Sequence, residues 1–514
     1  AQRIASTTSR VGPSPAVPAL DTPRGLSPEL RTMLADLAQA LIRGNARDHE
    51  AVLSFEDDAS MRRLLARAHQ SGLTVLGQLG PLRAVRVRFE SASALQRELI
   101  ENGEDYSNIA ANGLFGIPQP PAREDRGDVN QVPFGNDTLA FLGANGDRSS
   151  WGRGTTIAIL DTGVAADTTF GAARVRALDI GLGTTPGAGS DDGHGTAIAA
   201  LAAGLSPDAP GVAPAANLLG IRVTDTSGTS DLFTISQAIV AAVDAGAGII
   251  NVSLGGYSTG TVLDAAINYA TQKGALIVAA AGNDQAAQLS WPAADPRVVS
   301  VGAIDKVEQQ VSFSNSGPQL QLTAPGYGVQ TAWLNGQRAY IDGTSASAPI
   351  VAGAIAAVIS QNPSLTPRQA ADLLARTAND GGAPGTDAAF GHGILNLATA
   401  FNRNNHSYVD TAVSSHHFDA ESSQMQFVVQ NRSGRAVSGT SLNVSVGTTS
   451  TSHTVPSLAA GETYVAKVPV SAIALKSAGS LSFTTQLTNP TGVVDQVPAN
   501  NKRTSVLTAL KPED

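Results

Sequence analysis

From about residue 131 to 401 the chain alternates short, nearly continuous apolar runs with longer helical stretches, and this alternation restricts its fold more than any other feature. The runs "TTIAILD", "NLLGIRV", "GIINVSL", "ALIVAAAGN" and "VVSVGAI" read as strands, and "FTISQAIVAAVDAG" and "GTVLDAAINYATQKG" between them read as helices. Short strands apolar on both faces imply a parallel sheet covered by helices on either side. The ligand site of such a sheet lies at the carboxyl ends of its strands, so polar residues just past these runs are the ones that matter.

The flanks follow other rules. Residues 1–26 are rich in Ser, Thr and Pro and read as a flexible arm. Ser27 and Pro28 have the chemistry of an N-cap and a first helical residue for "PELRTMLADLAQALIRG". Then come "AVLSF" (strand), "DASMRRLLARAHQSG" (helix), "LTVLGQL" and "RAVRVRF" (strands) and "SASALQRELIENG" (helix). In "RAVRVRF", Val85, Val87 and Phe89 share one face and Arg86 and Arg88 the other, the period of a half-buried strand. A small antiparallel sheet backed by two helices, in split β-α-β order, is expected over 27–116. Residues 117–130, rich in Pro and charge, read as a linker. From Asn402 to Asp514, Ser/Thr/Val-rich alternating runs such as "SLNVSV", "YVAKVPV" and "LSFTTQL" between Gly, Pro and Asn turns predict an antiparallel β-sandwich.

Bulk properties exclude several classes. With 514 residues, 42% of them hydrophobic, and a mean hydropathy near zero, the chain is globular and built of several domains. A net charge of −9, a pI near 5.4 and no sustained Lys/Arg block argue against nucleic acid or an anionic membrane as partner. Zero cysteines remove disulfides, thiolate metal sites and cysteine nucleophiles together. No run of about 18 apolar residues predicts a membrane span. The start at Ala1, without Met or a signal-peptide pattern, fits an export product whose signal was removed and equally a shortened expressed form.

Four polar residues stand just past strands or at the opening of helices. They are Asp161 in "AILDTGV", His194 in "SDDGHGTAIAALAAG", Asn283 in "AAAGND" and Ser345 in "GTSASAP". Acyl transfer needs an acid that orients, an imidazole that takes a proton, a hydroxyl that attacks and an amide that holds an oxyanion. Each residue has a plainer reading alone: a tight turn for Asp161 and Asn283, a cap or metal ligand for His194, and an N-cap for Ser345. Together in one α/β region they favour the catalytic set over coincidence.

Through "DTG", "GHGT", "AAGN" and "GTSASAP", in that order, residues 131–401 resemble the subtilisin-like serine proteases, the subtilase family. The resemblance implies a serine endopeptidase in which Ser345 attacks the scissile carbonyl and His194 carries its proton to the leaving amine, while Asp161 holds the imidazole tautomer. Asn283 and the Ser345 N–H would form the oxyanion hole. Gly343 would let the chain come close at a sharp turn, and Ser345 would serve as helix cap and nucleophile together. Ser253, Leu254, Gly255 and Gly256 ("SLGG") match the strand that pairs with the substrate backbone. Ala280, Ala281 and Gly282 match the opposite wall of the P1 pocket. Main-chain pairing implies broad specificity, and small residues without an obvious pocket acid imply a roomy, apolar-tolerant P1 site.

Compared with well-known members, "LAAGLSPDAPGVAPAANLLGIRV" lacks an Asn-rich calcium-binding insertion, and Gln321 stands where an acidic cation ligand often occurs. No cofactor is expected for catalysis; a structural calcium stays open, although the usual family sites look incomplete. Asp191 and Asp192 read as a solvated acidic loop, and His416 and His417 as surface residues of a sandwich turn. Residues 50–116 resemble the inhibitor-type propeptide of subtilases, a ferredoxin-like module whose tail lies in the active site. That implies an autoprocessed zymogen cut between Phe115 and Asn130, with "QVPFG" near the mature start. The last domain resembles bacterial adhesion-type Ig-like modules through "VPSLAAGETYVAKVPV" and "DQVPANNK". The expected protein is a secreted, monomeric bacterial endopeptidase acting on proteins or peptides, with its own propeptide as intramolecular inhibitor. Rival readings are a catalytically silent adhesin and an esterase, the latter fitting "SLGG" less well.

Overall fold

A computed structural model describes residues 26–121, 131–171, 174–184 and 192–509. The expected flexible arm, apart from Leu26, and most of the 117–130 linker lie outside these residues, as does Asp191. The described residues form two compact units, one comprising residues 26–114 with Asp231–Gln237 and Ser258–Ala266, the other comprising the remaining described residues.

In the first unit, Ser27 Oγ accepts from Leu30 N at 3.2 Å and opens α1 (Pro28–Ile42), whose Leu30, Leu34, Leu37 and Leu41 recur at helical spacing and are buried. There follow β1 (Ala46–Phe55), α2 (Asp58–Arg67), β2 (Leu73–Leu79), β3 (Ala84–Phe89), α3 (Ala92–Asn102) and β4 (Tyr106–Gly116). The strands lie in the antiparallel order β2-β3-β1-β4, a split β-α-β pattern completed by β4, which the sequence reading omitted. Val85, Val87 and Phe89 are buried on one face as their alternation requires. On the other face Arg86 and Arg88 reach Glu50 at 2.7 and 3.1 Å. Arg67 bridges Glu98 and Asp105, each at 2.8 Å, and Arg63 Nε adds a bond to Asp105 at 2.9 Å. Within the same unit Phe233 N donates to Asn112 Oδ1 at 3.0 Å.

The chain continues through α4 (Thr138–Phe141), β5 (Thr156–Asp161), β6 (Val175–Leu178), α5 (His194–Ala203), β7 (Asn217–Arg222), β8 (Thr229–Asp231), α6 (Leu232–Asp244), β9 (Ile249–Val252), α7 (Thr261–Gln272), β10 (Leu276–Ala280), β11 (Val299–Ile304) and β12 (Leu322–Pro325). Next come β13 (Val329–Ala332), β14 (Arg338–Ile341), α8 (Thr344–Gln361), α9 (Pro367–Arg376) and α10 (Leu397–Asn402). Seven parallel strands form one sheet in the order β12-β11-β10-β9-β5-β7-β6. Strand order reverses between β5 and β9, which leaves a crevice at their carboxyl ends. Helix α8 is long and apolar enough to cross a membrane, contrary to the expectation of no such run, but 83% of that stretch is buried in the protein. Small residues let it sink there: a Cβ on Gly353 would come within 2.7 Å of the Ala202 carbonyl oxygen of α5.

A β-rich region ends the chain: β15 (Thr411–Asp419), β16 (Gln424–Asn431), β17 (Ser441–Val446), β18 (Thr449–Thr454), β19 (Thr463–Pro469), α11 (Ala472–Ala478), β20 (Ser480–Thr488) and β21 (Lys502–Thr508). Its antiparallel sheets run β15-β16-β19 and β18-β17-β20-β21 around Phe427, Phe483, Leu442 and Val444. His416 and His417 lie in β15, not in a turn. His416 bonds Ser505 Oγ at 2.7 Å and Thr485 Oγ1 at 2.8 Å, and burial pulls its imidazole down to about 3, so it is a half-buried residue held between β20 and β21.

Candidate active site

Three adjacent strands present the site. Asp161 is the last residue of β5, Ser253–Gly256 follow β9, and Gly282 and Asn283 follow β10. Asp161 is fully buried, and its Oδ1 takes the Thr162 N–H at 2.8 Å and faces His194 Nδ1 at 2.8 Å. Thr162 Oγ1 accepts from Gly195 N at 3.0 Å and donates to the Asp192 carbonyl at 3.1 Å, so the turn after β5 grips the start of α5 on both sides of His194. A carboxylate on Nδ1 favours the ring tautomer that carries its proton there.

Ser345 is 3% exposed in the first turn of α8. Gly343, at φ 142°, is the residue that caps this helix, and no side chain caps it, so the expectation that Ser345 is itself the cap is corrected. A glycine is required at 343: a Cβ there would stand 2.9 Å from both Asn283 Nδ2 and Ser345 Oγ, two polar atoms gathered round one point. The Asn283 amide is fixed in orientation because its Oδ1 accepts from Thr344 N and Thr344 Oγ1, both at 2.9 Å, while Gly282 N donates to Thr344 Oγ1 at 3.1 Å. Its Nδ2 therefore faces outward and donates to the Pro118 carbonyl at 2.7 Å.

The chain's own residues occupy the groove beside it. Gly116 N donates to Gly255 O at 3.0 Å and Gly255 N to Gly116 O at 2.9 Å, an antiparallel pair. Gly256 pairs in turn with Trp291, and Ser290 N bonds Ala281 O at 2.9 Å, which joins the groove strand to the wall formed by Ala280, Ala281 and Gly282. Leu254, Ala280 and Ala281 are fully buried. Ser253 Oγ donates to the Ser345 carbonyl at 3.0 Å and accepts from Asn251 Nδ2 at 2.9 Å, so its side chain steadies the Ser345 turn.

Sequence reasoning missed Thr344, Pro118 and Asp284. The last follows Asn283 and accepts from Tyr257 OH at 2.6 Å, tying the residue after "SLGG" to the segment after β10. The threonine signal was available, since a hydroxyl beside "SAS" at a helix start has few other partners. At Gln321 the side-chain amide donates to Val298 O at 3.2 Å, and no group of three or more His, Asp or Glu gathers among the described residues.

Residues 152–393 match the subtilase family. Over 363 residues, 69% of this chain and 86% of the relative, the sequence is 31% identical to an alkaline protease of Shouchella clausii. The chain is a subtilase. Its sequence is also 35% identical over 274 residues to subtilisin Savinase of Lederbergia lenta, covering 53% of this chain and 99% of that one. Fervidolysin of Fervidobacterium pennivorans, a keratinolytic enzyme related to subtilisin, shares the fold with a TM-score of 0.58 at 17% identity, over 91% of this chain and 77% of its own. As a member of the family this subtilase is a subtilisin-like serine endopeptidase, a hydrolase of protein substrates.

Proposed function

We propose that Ser345, His194 and Asp161 are the nucleophile, general base and orienting acid of this endopeptidase, with Asn283 and the Ser345 N–H as oxyanion donors. We further propose that the protein is a secreted bacterial zymogen whose N-terminal unit is a self-inhibiting propeptide removed by its own active site. The observation that carries the reading is the 2.7 Å bond from Asn283 Nδ2 to the Pro118 carbonyl, with Gly116 paired to Gly255 two residues upstream. A backbone carbonyl on an outward-facing amide donor, in a strand paired to the groove, is how a peptide substrate meets an oxyanion hole.

Ser345 Oγ adds to the carbonyl as His194 takes its proton; His194 then protonates the leaving amine, and water resolves the acyl-enzyme. Asp161, buried against Nδ1, stabilises the imidazolium that forms. Ser253–Gly256 and Ala280–Gly282 line the substrate strand on either side. No metal or cofactor enters these steps, and a monomer contains every group they need. The bacterial relatives support export.

The test compares the purified chain with Ser345→Ala for fluorophosphonate labelling, casein digestion and self-cleavage between Phe115 and Asn130. Wild type is expected to label, digest and process, and the variant to do none of these. In subtilisin the loss of the serine or the histidine lowers kcat about 10⁶-fold, and loss of the aspartate about 10⁴-fold. A wild-type chain that neither labels nor processes overturns the reading in favour of a silent adhesin.

A further inference from the structure

The groove strand carries proline at 118, 120 and 121 ("GIPQPP", residues 116–121), and the register shows what the first of these does. Gly116 and Gly255 exchange both main-chain bonds. In an antiparallel pair the next such exchange lies two residues on along one strand and two back along the other. Residue 118 therefore falls opposite Ser253, where its N–H would donate to the Ser253 carbonyl. Proline has no N–H, so that bond cannot form, although the carbonyl of the same residue sits 2.7 Å from Asn283 Nδ2. The chain is thus aligned for attack at Pro118 while lacking the tether that would hold it there as the carbonyl pyramidalises.

The prolines also favour docking. Each restricts the residue before it to extended backbone, so Ile117 and Gln119 are already shaped for a strand and lose little freedom when bound. Phe115, just upstream, is 1% exposed and anchors the strand.

We propose that residues 116–121 form a proline-stiffened plug that lies in cleavage register at the Pro118–Gln119 bond, and that Pro118 delays its cutting and so times release of the N-terminal unit. This rests on the catalytic reading above. In the slow step, Ser345 Oγ bonds the Pro118 carbonyl carbon, the proton passes through His194 to the Gln119 nitrogen, and the C–N bond breaks. Water then hydrolyses the prolyl ester, leaving a carboxylate on Pro118 and a free amine on Gln119.

The full chain and its Pro118→Ala variant are refolded from denaturant and sampled over time. Intact mass is the readout, because an amino-terminal glutamine cyclises and blocks stepwise sequencing. The variant is expected to process about tenfold faster, the worth of one main-chain bond regained in the transition state, with Gln119 as the first residue of the released enzyme. A peptide of residues 113–121 is expected to inhibit the processed enzyme and stay intact, whereas its Pro118→Leu counterpart is cut at the 118–119 bond. Equal processing rates, a first cut at another bond, or cleavage of the native peptide as fast as its counterpart overturns the plug. Fluorophosphonate labelling separates the two readings: enzyme that labels but shows no Pro118 effect overturns the plug alone, and enzyme that never labels overturns both.

Discussion

Around Asn283 the fixed partners are neutral, a threonine hydroxyl and two backbone amides, whereas the sheet of the N-terminal unit is underpinned by Arg67 bridging Glu98 and Asp105 and by Arg86 and Arg88 on Glu50. Neutral bonds keep one geometry over a wide pH range. Ionic ones depend on carboxylates staying ionised, so the unit proposed to be shed is the one that acid can loosen while the bonds that aim the Asn283 amide persist.

The largest effect that would sharpen this contrast is on turnover. Asn283→Leu keeps the bulk but removes the outward donor, and kcat is expected to fall about 10²–10³-fold with KM little changed, as is known for this donor in subtilisin. A smaller loss would mean that other donors carry the oxyanion.

Next in size is the ionic side. Burial raises the Asp105 carboxyl, but bonds from Arg63 and Arg67 outweigh it and hold the group below the ordinary range; Glu50 is lowered in the same way by Arg86, Asn112 and Arg88. Groups lowered in the fold contribute stability that is present above the unfolded pKa and lost as pH falls through the folded value. In the inactive Ser345→Ala chain, hydrogen exchange is expected to show residues 46–114 opening before the parallel sheet as pH drops below about 4. Asp105→Asn should cost that unit about 2 kcal/mol at pH 7 by denaturant titration, since Arg63 and Arg67 both lose a charged bond and Arg67 keeps only Glu98. Simultaneous opening of both regions would break the comparison.

Thr344→Val removes a neutral partner that keeps the Asn283 amide turned outward. About a tenfold drop in kcat is expected, together with a loss of about 1–3 kcal/mol of stability because the Gly282 N–H loses its acceptor.

The smallest effect concerns an exception on the catalytic side. Asp380 is 5% exposed, and burial pushes its carboxyl up to about 6 against the opposing Gly385 N–H. A raised carboxyl favours the fold below the unfolded pKa, and that advantage is lost as pH rises through 6. Asp380→Asn should therefore stabilise the chain by about 1 kcal/mol at pH 8, a gain that grows from pH 4 to 6 and then levels off in thermal melts.

Much of this was readable in advance where local chemistry and tertiary packing agree. The continuous apolar runs became buried parallel strands, and the alternation in "RAVRVRF" became a one-sided strand. Asp161 and His194 meet, and Asn283 and Ser345 gather round Gly343. What escaped depended on distant partners. Strand β4 ("YSNIAANGLFG") has small and polar residues without clear alternation, and its conformation comes from pairing with β1 through Ala51–Ala111 and Leu53–Ile109. The Ser345 cap was misread because a serine before an apolar run is locally a good cap, while the close approach of Asn283 demands glycine two residues earlier. His416 looked like a surface residue because nothing nearby announces that Ser505 and Thr485 will meet its ring. Pro118 read as linker because its bond to Asn283 arises only from alignment with a loop more than a hundred residues away.

Neighbouring strands in a hydrogen-bonded sheet stand about 4.8 Å apart whatever their side chains. Asp161, the groove loop and Asn283 leave β5, β9 and β10, which are consecutive in the sheet. The spacing between acid, substrate cradle and amide is thus ruled by the peptide backbone, like marks on a gauge. Core residues beneath can be exchanged for others of similar volume without moving those marks.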